Sequence, residues 1–320
     1  FIKCNIAILS GVPQGSVLGS ILFVLFINDL VDCFKNLAVS TKLFADDLKL
    51  YTSYGLTDSL CDLTEALNRV TVWAKKWQLT INSTKCNVLR IVNPRCKNKS
   101  DIVYDLNGSS LKVLSVVKDL GVAVDKNLRF DNHISSVVHK SLQRANLILK
   151  CFQSRDRSLL MKAFKVYVRP LLEYATPVWS PHFMYLILKI EHVQRSFTKR
   201  LFGLKNLTYI DRLKQLEIDT LEHRRLIYDL CTCFKIIHGY NDTCLDMNRM
   251  HLEGRPNNTR GHNLKLAKEM CRTDMLRFFF CNRICTVWNS LPLDVVNAPS
   301  VNSFKKRVSK FNLDRFLTLK

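Results

Sequence analysis

Residues 43–51, LFADDLKLY, place two adjacent aspartates between apolar stretches. Apolar and polar residues alternate on both sides of the pair, which predicts two short strands joined by a turn at Asp46 and Asp47. Neighbouring carboxylates repel each other, so the pair favours either an exposed acidic turn or a divalent-cation site, because Mg²⁺ prefers hard oxygen ligands. The segment alone leaves both interpretations open.

A turn and a long apolar run precede this hairpin. Residues 10–16, SGVPQGS, contain two glycines and a proline, which is typical of a turn. The following residues 17–30, VLGSILFVLFINDL, predict a buried helix with Ser16 as its N-cap. Gly15 has no side chain, so another backbone or a nucleotide can approach it closely.

Composition indicates a globular protein with a polyanionic partner. The 320 residues carry a formal charge of +21, which favours nucleic acid over an acidic membrane surface. The longest apolar run, around residues 21–27, is far shorter than the roughly 20 residues that cross a bilayer, so we expect no membrane partner. The 12 cysteines lack the paired spacing of zinc sites and indicate reduced thiols. We therefore expect an intracellular protein of the cytoplasm and nucleus.

The downstream sequence changes from mixed to mainly helical character. A 3.6-residue apolar period predicts a helix over residues 58–77, and a two-residue period then places Lys85 on a strand. Asn107-Gly108 predicts a hairpin turn, and residues 117–130 a second strand pair. From residue 133 the pattern is mainly helical, with a last helical segment over residues 264–290.

Three motifs together resemble the palm motifs of reverse transcriptases from non-LTR retrotransposons of the jockey-like and chicken-repeat-like kind. They are GVPQGSVLGSILFVLFINDL (residues 11–30), FADD (residues 44–47) and WAKKWQLTINSTKC (residues 73–86). The segment LGVAVDKNLRFDNHI resembles the hairpin that grips the primer end in those proteins. The later segments YVRPLLEYATPVWSP, RSFTKRLFGL and WNSLP resemble their helical C-terminal region.

The resemblance implies an α+β fold in three parts. Residues 1–130 would form a partial polymerase palm, a mixed sheet with helices that ends in the primer-grip-like hairpin. Residues 131–180 would form thumb-like helices, and residues 181–320 a helical, basic C-terminal region.

The resemblance also implies roles for individual residues. Asp46 and Asp47 would be catalytic and would supply two of three metal-binding carboxylates for two Mg²⁺ ions, with Mn²⁺ as the alternative ion. Phe44 would border the primer or incoming nucleotide. The template and nucleotide pocket would be lined by Pro13, Gln14, Gly15 and Ser16. Lys85 would lie near the pyrophosphate, although a solvated lysine is the alternative. The partners would be an RNA template, a DNA primer and deoxynucleoside triphosphates.

Two basic groups are further candidates for nucleic-acid binding, because phosphate contacts need only charge and reach. They are Lys140, Arg144 and Lys150 in the thumb-like helices, and Lys305, Lys306 and Arg307 near the C-terminus. A solvated helix face is the alternative for the first group, and a soluble tail is the alternative for the second.

One departure from the family pattern concerns the third metal-binding aspartate. It should lie several dozen residues before Gly15, but only fourteen residues precede Gly15 and none is acidic. We interpret Asp29 as a helix-end residue and not as a substitute ligand. We therefore expect a fragment of an RNA-directed DNA polymerase that is inactive alone. The alternative is a catalytically dead nucleic-acid-binding remnant.

Overall fold

The computed structural model describes residues 11, 15–53, 57–91, 102–240 and 262–319, without the side chains of residues 57–60. Residues up to 90 and from 102 to 115 form one compact unit, here the N-terminal unit. Residue 91 and those from 116 onward form the C-terminal unit. Helices and short strands occur together, which confirms the predicted α+β class.

In its described residues, the N-terminal unit combines two helices with six short strands. The helices are α1 (Val17–Ile27) and α2 (Thr57–Lys76), and a 3₁₀ helix (Asn28–Phe34) continues from α1. The strands are β1 (Ser40–Phe44), β2 (Asp47–Tyr51), β3 (Asn87–Leu89), β4 (Asp105–Leu106), β5 (Ser109–Ser110) and β6 (Lys112–Leu114). The pairs β1–β2 and β4–β5 are antiparallel, and β3–β6 is parallel.

The alternation of apolar residues orients the β1–β2 hairpin on its core. Leu43 lies opposite Leu48 in the register, and both pack with Leu50 against the cluster that contains Val70 and Trp73 of α2. Because side chains alternate between the two faces of a strand, one face of the hairpin is fixed to α2. The residues that alternate with these leucines along the two strands lie on the other face.

Helix α1 differs from the prediction of a buried helix. Among the described residues of the helix, only Gly19 and Ile27 are buried, and Val17 is 85% exposed. The helix is apolar on every side, whereas the described part of the unit covers only the side of Phe23, Phe26 and Ile27.

The apolar run is also longer than the sequence analysis estimated. Val17–Phe34 forms an 18-residue helical stretch with a mean hydropathy of 2.0. By length and composition alone it could cross a membrane, and 22% of it is buried; a single helix of this kind near the N-terminus is weak evidence for a span. Its acidic Asp29 contacts α2 through the indole of Trp73.

The C-terminal unit begins with one hairpin, and the remaining regular elements among its described residues are helices. The hairpin pairs β7 (Val116–Asp119) with β8 (Val122–Asp125). The longer helices are α3 (Asp131–Cys151), α4 (Arg157–Ala163), α7 (Met184–Lys199), α8 (Tyr209–Leu216), α9 (Leu221–Ile237), α11 (Phe280–Asn289) and α13 (Val301–Val308). The short ones are α5 (Arg169–Glu173), α6 (Thr176–Trp179), α10 (Asp274–Arg277) and α12 (Leu293–Val296), with a π-helical segment (Phe164–Val168) between α4 and α5.

Two apolar clusters support this unit. The first contains Ile134, Phe164 and Phe197 and joins the hairpin to α3, α4 and α7. The second contains Trp288 and Phe304 and joins α9 to α11 and α13. Burial of these large side chains is the main source of stability in each cluster.

One sequence expectation differs from the structure here. The segment predicted as helix from residue 264 begins at Asp274, and three further helical segments follow Pro292, which only ends α11. The hairpin of β7 and β8 packs with α3 of the C-terminal unit through Val122 and Val124, so the compact units divide at residue 115; the division into palm, thumb and C-terminal region stays a prediction. Most of the loop expected at residues 241–263 lies outside the described residues.

Candidate functional site

The two aspartates lie at the tip of the β1–β2 hairpin, as predicted. Phe44 pairs with Asp47 at the end of the ladder, so Ala45 and Asp46 form a two-residue turn. Ala45 has φ of 51°, the positive value that tight hairpin turns require at their first central residue. Asp46, Asp47 and Phe44 are all exposed.

The outer face of the hairpin carries more functional candidates than the sequence analysis named. Lys42 lies opposite Lys49 in the register, next to the pair of Phe44 and Asp47. Tyr51, 50% exposed, lies on the same face. The two-residue period could have shown that these residues share a face with Asp47. Two opposed lysines on one face make that face of the hairpin basic.

The carboxylates suit a divalent cation by ligand type but are too few by number. Among the described residues, neither Asp46 nor Asp47 makes a side-chain hydrogen bond or ion pair, so their oxygens are available. Within the described ranges, no group of three His, Cys, Asp or Glu side chains is close enough to hold a metal ion. Two hard oxygen donors fit part of a Mg²⁺ site, and the remaining ligands must come from elsewhere.

Asp29 has the structural role that the sequence analysis gave it. Its Oδ1 accepts a hydrogen bond of 3.0 Å from Nε1 of Trp73, at the start of the 3₁₀ helix that follows α1. The carboxylate therefore joins two elements of the core and is not a third ligand at the hairpin.

The predicted nucleotide pocket is described only in part. Ser16 caps α1, since its Oγ accepts a hydrogen bond of 3.1 Å from the backbone N of Gly19. Gly15 has φ of 83° and nothing within 4 Å of the position of an added Cβ. Pro13 and Gln14 lie outside the described residues.

The prediction that Lys85 lies on a strand is wrong. Lys85 ends a 3₁₀ turn, Ser83–Lys85, and the strand begins two residues later at Asn87. The reason is local: the side chain of Asn82 accepts a hydrogen bond from the backbone N of Thr84, which favours a turn over a strand. Lys85 is exposed, and its proposed contact with pyrophosphate stays a prediction.

The basic residues of α3 lie on an exposed surface. Lys140, Arg144 and Lys150 are exposed, and Nη1 of Arg144 donates a hydrogen bond of 3.2 Å to the carbonyl of Tyr167 in the π-helical segment. Residues 132–172 contain eight basic residues and one acidic residue. This density of positive charge agrees with a phosphate-binding surface.

The second basic group occupies the last turn of α13. Arg307 donates a hydrogen bond to the carbonyl of Asp294, and Nζ of Lys305 lies 5.9 Å from the ring centroid of Tyr228. Lys306 is exposed. Two of the three residues thus contact other parts of the fold, and nucleic-acid binding by this group stays a prediction.

Comparison with known proteins identifies the segment that contains the hairpin. Residues 3–124 match the family model described as reverse transcriptase (RNA-dependent DNA polymerase). This segment is therefore similar to reverse transcriptases. The match includes all three palm-like motifs of the resemblance, residues 11–30, 44–47 and 73–86.

The similar proteins confirm the resemblance to jockey-like elements. The chain is 31% identical over 205 residues to the RNA-directed DNA polymerase from mobile element jockey of Drosophila funebris, an alignment that covers 61% of this chain and 22% of that protein. It is 30% identical over 188 residues to a Drosophila melanogaster protein named "Probable RNA-directed DNA polymerase from transposon BS", over 53% of this chain and 20% of that protein.

A shorter relative and the solved structures complete the comparison. An uncharacterized protein of Caenorhabditis elegans is 32% identical over 126 residues, which are 38% of this chain and 64% of that protein. The chain thus spans less than two thirds of this relative and about a fifth of the two mobile-element polymerases. No solved structure matches the chain significantly.

Proposed function

We propose that this chain is part of an RNA-directed DNA polymerase of a non-LTR mobile element and supplies two of its metal-binding carboxylates. The observation that carries the proposal is the placement of Asp46 and Asp47 at the tip of an exposed hairpin, within the segment that matches reverse transcriptases. The reaction would add a deoxynucleotide to the 3′-hydroxyl of a DNA primer on an RNA template. We propose that it takes place in the cytoplasm and nucleus.

Some residues of the hairpin would bind the metal ions, and others would contact the nucleic acid or the nucleotide. Asp46 and Asp47 would hold Mg²⁺, or Mn²⁺ in its place, and two such ions would favour attack by the primer hydroxyl and departure of pyrophosphate. Phe44, 62% exposed beside Asp47, would pack against the primer end or the incoming nucleotide. Lys42 would attract phosphate to the same face. The third carboxylate would come from outside the described residues.

A second candidate function is nucleic-acid binding without catalysis. The observation in its favour is the exposed basic surface of α3, where none of the ion pairs among the described residues involves Lys140, Arg144 or Lys150. Each phosphate contact releases counterions, so affinity falls with salt. A remnant that keeps only this surface would bind nucleic acid but not extend a primer.

Primer extension by the longest open frame that contains this chain tests the first function. We expect Asp46→Asn to slow extension at least about a hundredfold, because the loss of a metal ligand removes several kcal/mol of transition-state stabilisation. Asp105→Asn is the matched control, since Asp105 carries an exposed carboxylate in β4–β5, another hairpin with a two-residue turn. Equal extension by Asp46→Asn and Asp105→Asn would contradict the proposal.

Salt-dependent binding by the 320-residue chain tests the second function. Replacing Lys140, Arg144 and Lys150 together by alanine should reduce the slope of log K against log salt by up to roughly 2–3, at about 0.9 for each phosphate contact. A control with the same charge change replaces the exposed Lys199, Lys205 and Lys214 and should keep the slope. If both triple variants bind as the parent does, α3 is not the binding surface.

A further inference from the structure

Four aromatic rings of the C-terminal unit form a continuous row. Tyr185, Phe183, His182 and Phe278 follow one another with ring-centroid separations of 5.8, 4.0 and 3.7 Å. The last two rings are stacked, with 3° between their planes. The row joins the start of α7 and the loop before it to the connection between α10 and α11, so distant parts of the sequence build it.

The exposed end of this aromatic row is rigid and lies beside a cation. Tyr185 is 49% exposed, and its hydroxyl donates a hydrogen bond to Asp131 and accepts one of 2.9 Å from Arg129. The guanidinium carbon of Arg129 lies 4.8 Å from the ring centroid of Phe183. These contacts hold the Tyr185 ring in place, so a ligand that stacks on it loses little side-chain entropy.

Arg129, Arg283 and Lys189 lie near the row, together with the carboxylates of Asp131 and Asp274. Lys189 lies one helical turn after Tyr185, and its Nζ donates a hydrogen bond of 2.7 Å to Oγ of Ser135. Asp131 is paired with Arg129 at 3.2 Å, which leaves the charge of Lys189 uncompensated by any carboxylate among the ion pairs of the described residues. An anionic ligand would therefore meet a positive edge beside the rings.

The row is separate from the two sites already described. It lies outside residues 3–124, the segment that matches the reverse transcriptase family. It also adjoins a different side of α3 from the basic surface: Asp131 and Ser135 contact α7, whereas Arg144 contacts the π-helical segment. Neither the hairpin carboxylates nor the α3 lysines account for a half-exposed Tyr185 at the end of this row.

We propose that the aromatic row binds unpaired nucleotides of a single-stranded nucleic acid by stacking on Tyr185, with Arg129 and Lys189 near the phosphates. Aromatic faces together with a positive edge are the features by which proteins hold single strands with little sequence preference, since every base has a π-face. The bases of a duplex are already stacked and cannot offer their faces. The formal charge of +21 makes a polyanion a better partner for this surface than an apolar protein segment.

Fluorescence anisotropy with a labelled oligouridylate and an RNA–DNA duplex of equal length tests this proposal in the 320-residue chain. Tyr185→Ala should weaken binding of the oligouridylate about fivefold or more, because stacking on one aromatic ring is a large share of single-strand affinity. Tyr185→Phe keeps the ring but loses the two hydrogen bonds that hold it, so it should bind the oligouridylate more tightly than Tyr185→Ala does. Phe202→Ala removes another exposed ring, 75% exposed, and should change nothing. Duplex binding should stay the same in all three variants.

Three results would overturn the proposal: equal oligouridylate binding by Tyr185→Ala and the parent, an equal loss in Phe202→Ala, or an equal loss of duplex binding. Crosslinking of the parent chain to an oligonucleotide that contains 4-thiouridine is a second test, and it does not depend on whether a variant folds. It should label the peptide with Phe183 and Tyr185, and the absence of that crosslink would also overturn the proposal. Asp46→Asn should leave oligouridylate binding intact, so a failed polymerase proposal does not affect this result.

Discussion

The buried ion pair between Asp229 of α9 and Arg283 of α11 offers the sharpest prediction about stability. The guanidinium binds both carboxylate oxygens, with Nε to Oδ2 at 2.9 Å and Nη2 to Oδ1 at 3.1 Å. Nη2 also donates a hydrogen bond of 2.7 Å to the carbonyl of Pro177, and Nη1 one of 3.2 Å to that of Phe278. Arg283 therefore joins α9, α6 and the connection between α10 and α11.

Arg283→Met should destabilise the chain by about 3–5 kcal/mol, because it leaves the carboxylate of Asp229, only 3% exposed, buried without its partner. The double variant Arg283→Met with Asp229→Leu should recover much of this loss, since it removes the unpaired charge as well. Urea unfolding of parent, single and double variants measures both effects. A single variant within about 1 kcal/mol of the parent, or a double variant less stable than the single one, would refute the reasoning.

The same pair predicts a dependence on pH. Burial raises the pKa of Asp229, against the opposing effects of Arg283 and Arg225, so the folded chain takes up this proton more readily than the unfolded chain. The contribution of Asp229 to the free energy of unfolding therefore decreases as the pH rises from the pKa of this group in the unfolded chain towards its higher pKa in the folded chain. Without Arg283 the pKa should rise further. The free energy of unfolding of Arg283→Met should then lie closer to that of the parent at pH 5 than at pH 7, as measured by urea unfolding at both pH values. An equal difference at the two pH values would contradict this.

Three further predictions concern the core, a histidine and a glycine. Trp288→Ala, at a fully buried site, should cost about 3–5 kcal/mol in urea unfolding, whereas the exposed Phe202→Ala should stay within about 0.5 kcal/mol. Burial lowers the pKa of His133, so its contribution to stability is lost as the pH falls below about 6.5. The parent should lose up to about 1 kcal/mol more than His133→Asn between pH 6.5 and 5.5, and equal losses would contradict this. Gly121→Ala should lower the thermal midpoint, because Gly121 has φ of 88° and an added Cβ would lie 3.3 Å from the ring of Tyr174; an unchanged midpoint would show that the strain is relieved.

Sequence patterns correctly predicted those elements whose structure is determined by residues within the element itself. The hairpin around Asp46 follows from two-residue alternation, and α2 from its 3.6-residue period. Asn107-Gly108 forms the predicted turn with φ of 54° and 76°, since few other residue pairs accept two positive φ values. In each case, residues within one element decide the structure.

Features that depend on distant contacts could not be predicted in this way. The apolar sequence of α1 indicated burial, but the packing of neighbouring elements decides which of its sides are covered. Glu191 reads as a polar residue of an amphipathic helix, yet it is fully buried and accepts hydrogen bonds from the backbone N of Leu221 at 3.1 and 3.0 Å. The aromatic row joins residues 182–185 to residue 278, a separation of more than ninety residues that no periodicity reveals.

In the candidate site, too, the feature that a contiguous pattern determines was predicted and other features were missed. The motif placed Asp46 and Asp47 at a turn, because the pattern that identifies them is contiguous. Lys42 and Lys49 were missed as members of the site, although the strand period places them on the face of Asp47. Lys85 was assigned to a strand because its turn depends on a side-chain hydrogen bond of Asn82.

The most direct test of the central claim locates the divalent ion itself. Fe²⁺ can replace Mg²⁺ in the longest open frame bound to an RNA template and a DNA primer, and with ascorbate and peroxide it cleaves the backbone near the site where it binds. The account predicts cleavage around residues 46–47 that excess Mg²⁺ suppresses, that Asp46→Asn abolishes and that Asp105→Asn leaves unchanged. Mg²⁺-sensitive cleavage elsewhere, with none at the hairpin, would contradict it.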